Sequence, residues 1–76
     1  MIIQAKYGTK HGMMLKVKYA RSLPEKGDWI EVRPKNWSKS DSWDPGQDRN
    51  GWIEMRVCGV RKSDHFKHGI FFLLSK

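Results

Sequence analysis

Apolar residues along this chain almost never recur at the 3.6-residue spacing of a helix. They alternate with polar ones, or cluster as β-branched and aromatic residues, in five short runs closed off by turn-forming residues. That rhythm predicts an all-β domain. The first run, Met1 to Tyr7, sets Ile3, Ala5 and Tyr7 on one side and Ile2, Gln4 and Lys6 on the other. Gly8 to Gly12 then reads as a hairpin loop whose glycines supply positive φ. The second run, Met13 to Ala20, alternates most regularly: Met13, Leu15, Val17 and Tyr19 are expected to face inward, and Met14, Lys16 and Lys18 outward.

Pro24 and the Gly27-Asp28 pair break regular pairing, so 22–28 is a turn. A third strand, Trp29 to Arg33, points Ile30 and Val32 at the core and Trp29, Glu31 and Arg33 away from it. The fourth, Gly51 to Arg61, buries Ile53, Met55 and Val57, and Gly59 marks a bulge that turns Val60 inward. The stretch 61–67 is a polar connection able to form one helical turn capped by Ser63. The last run, Gly69 to Leu74, is apolar on both faces, as befits a closing strand covered on both sides or one buried against a second subunit. Between the third and fourth runs, residues 34–51 form a long polar loop carrying Trp37 and Trp43, and loops of that length are commonly functional. Together these elements predict one small domain spanning 1–76, a five-stranded curled sheet or partly open barrel of the SH3-like or OB-like kind. The segment Pro24-Glu25-Lys26-Gly27-Asp28-Trp29-Ile30-Glu31-Val32 resembles the turn-and-strand element of many such barrels, a likeness that bears on architecture and not on function.

With 76 residues, the chain has room for one modest core, which supplies about 3–5 kcal/mol of net stability. The lone cysteine, Cys58, cannot form an intramolecular bridge, and the first residues lack the apolar run of a secretory signal. A reduced, cytoplasmic protein is expected. The longest apolar stretch, Ile70 to Leu74, is far too short to span a bilayer, so no membrane partner is expected.

Charge sharpens the picture. Fifteen Lys and Arg face eight Asp and Glu, for a formal net charge of +7, which favours anionic partners. The charge sits at the two ends: residues 1–21 hold five basic and no acidic residues, 55–76 five against one, and 22–54 five against seven. Lys16 and Lys18 share the outer side of the second strand. Lys6 joins them if the first hairpin has simple register, and Lys10 and Arg21 would extend a stripe along a phosphate backbone. Arg56 and Arg61 add to it, and Trp29 and Trp52 are candidate stacking platforms for unpaired bases. The leading expectation is a nucleic-acid-binding barrel that prefers single strands to duplex.

Trp37 and Trp43 support an alternative. Their loop is not basic, and tryptophans amid polar neighbours are frequent hot spots of protein interfaces, unless both rings fold back to complete the core. The alternative is a small accessory protein, of the type phages and mobile elements encode, that inhibits an acidic partner protein. A monomer or a homodimer joined along the last strand fits either reading. No cofactor, metal or catalytic group is expected. His65 and His68, with Cys58 and His11, lack zinc-type spacing; Asp41, Asp44 and Asp48 lie in the loop; and Cys58, on an apolar strand, reads as a small buried packing residue.

Overall fold

The alternation at Met13-Met14-Leu15-Lys16-Val17 gives one face that water excludes and one it solvates, and each such run finds its partner in the next. In the computed structural model, which describes residues 1–66 and 69–76, the runs become β1 (Ile2–Tyr7), β2 (Lys10–Val17), β3 (Trp29–Pro34), β4 (Ile53–Lys62) and β5 (Ile70–Ser75). Each strand is antiparallel to the one before it. A parallel seam, Ala5 to Tyr7 against Phe72 to Leu74, joins β1 to β5 and closes the barrel. The expected five-stranded small barrel is the architecture observed, and its closure removes the free strand edges that invite aggregation. Among the described residues no helix is long and apolar enough to cross a membrane.

The core lies inside the barrel. Leu15, Val32, Met55, Val57 and Phe72 are all but sealed from solvent, with Ile3, Ala5 and Ile53 around them. Full burial of each large side chain contributes about 1.5–3 kcal/mol. The first hairpin is tighter than its glycines suggested. Tyr7 pairs with Lys10 across a two-residue turn, and Gly8 takes the first central position at φ 60°, as a type II′ turn requires. The register slips by one residue beside Gly12, whose φ of 65° allows it.

Three residues are oriented differently from what the sequence suggested. The β2 alternation ends at Val17, and Tyr19 stands 88% exposed at φ 59° instead of facing the core. The chain has to leave the barrel wall there to reach the 22–28 turn, and a left-handed residue makes that corner. The bulge in β4 lies where expected: Cys58 is the extra residue, because Val57 pairs with Leu74 and Gly59 with Leu73. It does bring Val60 opposite the buried Phe72, but so close to the barrel mouth that Val60 remains 36% exposed. Cys58 itself is exposed, its Sγ 2.9 Å from Ser75 Oγ, and is not a packing residue.

The apolar outer side of β5 is covered by its own chain. Phe66 stacks on Phe71 with centroids 4.7 Å apart, and Leu73 lies against Gly59. Phe66 belongs to a turn that opens at Ser63, whose carbonyl accepts the Phe66 N–H and whose hydroxyl accepts that of His65. The remainder of the expected 61–67 connection, and His68, lie outside the described residues.

The long loop is built, residue by residue, from carboxylates and indoles. Asp44, only 6% exposed, accepts hydrogen bonds from the Tyr7 hydroxyl (2.7 Å), the Gly46 N–H (2.7 Å) and the Lys76 ammonium (2.6 Å). Burial alone would raise its carboxyl, but those donors outweigh burial and bring it down to about 2. Burial and the bond to Asp44 push the Tyr7 phenol up. Asp48 accepts the N–H groups of Trp52 and Asn50, which lower its carboxyl. The Trp43 ring packs on the core, and its Nε1 donates to the Gly51 carbonyl at 2.7 Å. Trp37 lies flat against Gly51, so close that a Cβ there would stand 2.4 Å from the ring.

Candidate functional site

Residues directly opposite in an antiparallel pair share a face, so the register maps the outer wall. Lys16 stands between Ile2 on β1 and Arg33 on β3, and Trp29 stands opposite Arg56. Glu31 faces Glu54 between these two rows, and Lys18 reaches Glu31 at 3.2 Å. The wall formed by β2, β3 and β4 therefore gathers Lys16, Lys18, Arg33 and Arg56 around an acidic centre.

The continuous lysine stripe does not form. Lys16 is opposite Ile2, not Lys6, so Lys6 lies four residues or about 13 Å further along β1, beside Leu73 in the parallel seam. Lys10 donates to the Trp43 carbonyl at 3.2 Å and sits 5.8 Å from the centre of that ring. Arg61 is past the bulge, opposite Phe71. Of the nine residues expected to meet nucleic acid, Lys16, Lys18, Arg21, Trp29, Trp52 and Arg56 are brought to one side, while Lys6, Lys10 and Arg61 lie apart.

The rings divide as well. Arg33 lies 4.4 Å from the centre of Trp52 and 5.1 Å from that of Trp37, and its guanidinium donates to the Asn50 carbonyl at 2.8 Å. Lys18 lies 5.5 Å from Trp52 and 5.2 Å from Tyr19. The result is an alternating series, Tyr19, Lys18, Trp52, Arg33, Trp37, in which each contact contributes about 0.5–1 kcal/mol and the loop is held to the wall. A base reaching Trp52 competes with these cations. Trp29 carries no such cover and is 58% exposed.

Beside Trp29 an open groove of about 370 Å³ runs between the β2 exit and β3, bordered by Tyr19, Arg21, Leu23, Glu31 and Glu54. Tyr19 and Arg33 are functional candidates that sequence reasoning passed over. Arg33 was legible, since it shares an outer face with Trp29. Tyr19 was hidden by an alternation that stops one step before it.

Trp37 and Trp43, the expected partner-binding pair, are both engaged with Gly51. Among the described residues no three His, Cys, Asp or Glu side chains stand close enough to hold a metal ion. In comparison with known proteins, the chain matches no family model, no curated protein and no solved structure.

Proposed function

We propose that the protein is a non-catalytic nucleic-acid-binding barrel that takes single-stranded DNA or RNA along the outer wall of β2, β3 and β4. The observation that carries this reading is that two exposed rings, Trp29 and Tyr19, share a wall with cations that form no ion pair among the described residues. Among the described residues the ion pairs are Lys18 with Glu31 and Lys76 with Asp44, which leaves Lys16, Arg21 and Arg56 without one: Arg21 borders the groove, Arg56 stands across from Trp29, and Lys16 lies further along the same wall, opposite Arg33. Cations on a wall track phosphates, and exposed rings accept the π-face of any unpaired base, a combination that duplex cannot use fully. Capture of a protein partner by Trp37 and Trp43 draws less support, because both indoles already contact their own backbone.

The test is fluorescence anisotropy of a labelled thymidine decamer at about 50 and about 200 mM salt. Binding should weaken as salt rises. A Lys16→Glu, Arg56→Glu double variant should bind about tenfold more weakly or worse, with a salt slope shallower by about 1.4, at roughly 0.7 per lost phosphate contact. Both residues are exposed and form no ion pair among the described residues, so folding is retained. Equal affinity of wild type and variant would refute the reading.

A further inference from the structure

The groove beside Trp29 has a feature that phosphate binding leaves unused. Glu31 and Glu54 stand directly opposite each other on the outer wall, an arrangement like charges disfavour, and both border the groove that Trp29 and Tyr19 share. Lys18 neutralises Glu31. Glu54 is exposed and has no cation bound to it among the described residues. An uncompensated carboxylate repels a phosphate, so whatever part of a polyanion enters here is a base edge rather than the backbone.

A carboxylate only accepts hydrogen bonds. Guanine presents two adjacent donors, N1–H and the N2 amino group, which match the two oxygens of one carboxylate. Cytosine and adenine present a single amino group, and thymine or uracil an imino N–H flanked by carbonyls that the carboxylate repels. The register places the stacking ring at suitable range. Trp29 pairs with Arg56, two residues along β4 from Glu54, and such diagonal neighbours are about 7–8 Å apart, within reach of a base laid on the indole. Tyr19 borders the same groove: it turns the chain out of β2 at a strained φ of 59°, is 88% exposed, and has Lys18 against its ring.

Resting on the nucleic-acid reading above, we propose that this groove reads guanine in a single strand: the base stacks on Trp29 and donates N1–H and N2–H to the Glu54 carboxylate. Lys16, Arg21 and Arg56 then hold the flanking phosphates.

The experiment compares three labelled decamers: all thymidine, the same with two central guanines, and the same with two central inosines, which lack the N2 amino group. Wild type should prefer guanine to thymidine by about fivefold or more, with inosine between them, a gap typical of one bidentate base contact. Glu54→Gln should collapse the guanine preference, and Trp29→Leu should weaken the guanine decamer. Equal wild-type affinity for all three, or a preference that survives in Glu54→Gln, would overturn the proposal while leaving nucleic-acid binding intact. If no decamer binds, the functional reading itself fails. If instead an arginine-rich peptide binds wild type but not Glu54→Gln, the groove is a site for cationic peptide, which also overturns the proposal.

Discussion

Replacing Asp44 with asparagine isolates the charge that ties the long loop to the barrel. Asparagine has nearly the same shape: its carbonyl at the Oδ1 position can still accept from Gly46, and its amide can donate to the Tyr7 hydroxyl; what disappears is the negative charge facing the Lys76 ammonium at 2.6 Å. The Asp44 carboxyl lies at about 2 in the folded protein, against 3.8 for a free side chain. A difference of nearly two units corresponds to about 2 kcal/mol, and the half-exposed Lys76 discounts it toward about 1 kcal/mol. Because the folded value is the lower one, this stabilisation is complete above about pH 4 and is lost as the pH falls from 4 toward 2. Urea unfolding followed by tryptophan fluorescence, at pH 7, 5, 3 and 2, should therefore show wild type ahead by about 1–2 kcal/mol at the two upper values, with the gap closing at the lowest. The other carboxylates titrate in both proteins and cancel in the difference. A gap that persists unchanged at pH 2 would mean that shape and not charge is lost, and no gap at pH 7 would mean that the ion pair contributes nothing.

Two further substitutions test the loop and the corner. Gly51→Ala places a methyl group 2.4 Å from the Trp37 ring at a φ of 82°, so the ring must leave; a loss of about 2–4 kcal/mol is expected, checked by thermal unfolding together with a red shift in tryptophan emission. Tyr19→Gly relieves the left-handed strain, about 1–2 kcal/mol, against about 0.5–1 kcal/mol of added chain entropy, so the variant should be slightly more stable and bind the thymidine decamer less tightly. Stability and affinity that fall together in Tyr19→Gly would count against a functional role for the strain.

Most of the barrel was legible because its strands are amphipathic with period two, a signal written in adjacent residues. Ile53, Met55 and Val57 read as core and are core, and Gly59 marked the bulge. Legibility failed where geometry depends on pairing between distant segments. Nothing near Lys6 says that the first hairpin closes in two residues and sets Lys16 opposite Ile2, so a continuous lysine stripe looked reasonable and is absent. The loop was similarly opaque. Its aspartates resembled solvated charge or weak metal ligands, whereas Asp44 and Asp48 accept hydrogen bonds from the loop itself and, at Asp44, from Tyr7 and Lys76, residues far away in the chain. Cys58 misled because its apolar neighbours were weighed over the alternation, which, running inward at Ile53, Met55 and Val57, already turns it out of the barrel.

The division of labour among the four tryptophans follows from how little core a chain of this length can bury. A closed barrel of five short strands has an interior only wide enough for one layer of side chains, so large rings must find cover elsewhere. Trp43 obtains it between Tyr7 and the Gly51 carbonyl, and Trp37 on the bare face of Gly51, which is why the loop bends back instead of projecting. Trp52 is covered by Arg33 and Lys18, side chains that stay charged while they shield it. Arg33 touches both Trp37 and Trp52, so the contact that anchors the loop also fixes the basic wall. Trp29 is the ring that none of these devices reaches. Its neighbours on the wall are Arg56 across the ladder and the Glu31–Glu54 pair one row along, groups that stability alone would not place around an exposed indole. Trp29 thus stands apart from the contacts that hold the loop to the barrel, and a base stacked on it, as proposed, would leave the Arg33 contacts with Trp37 and Trp52 in place.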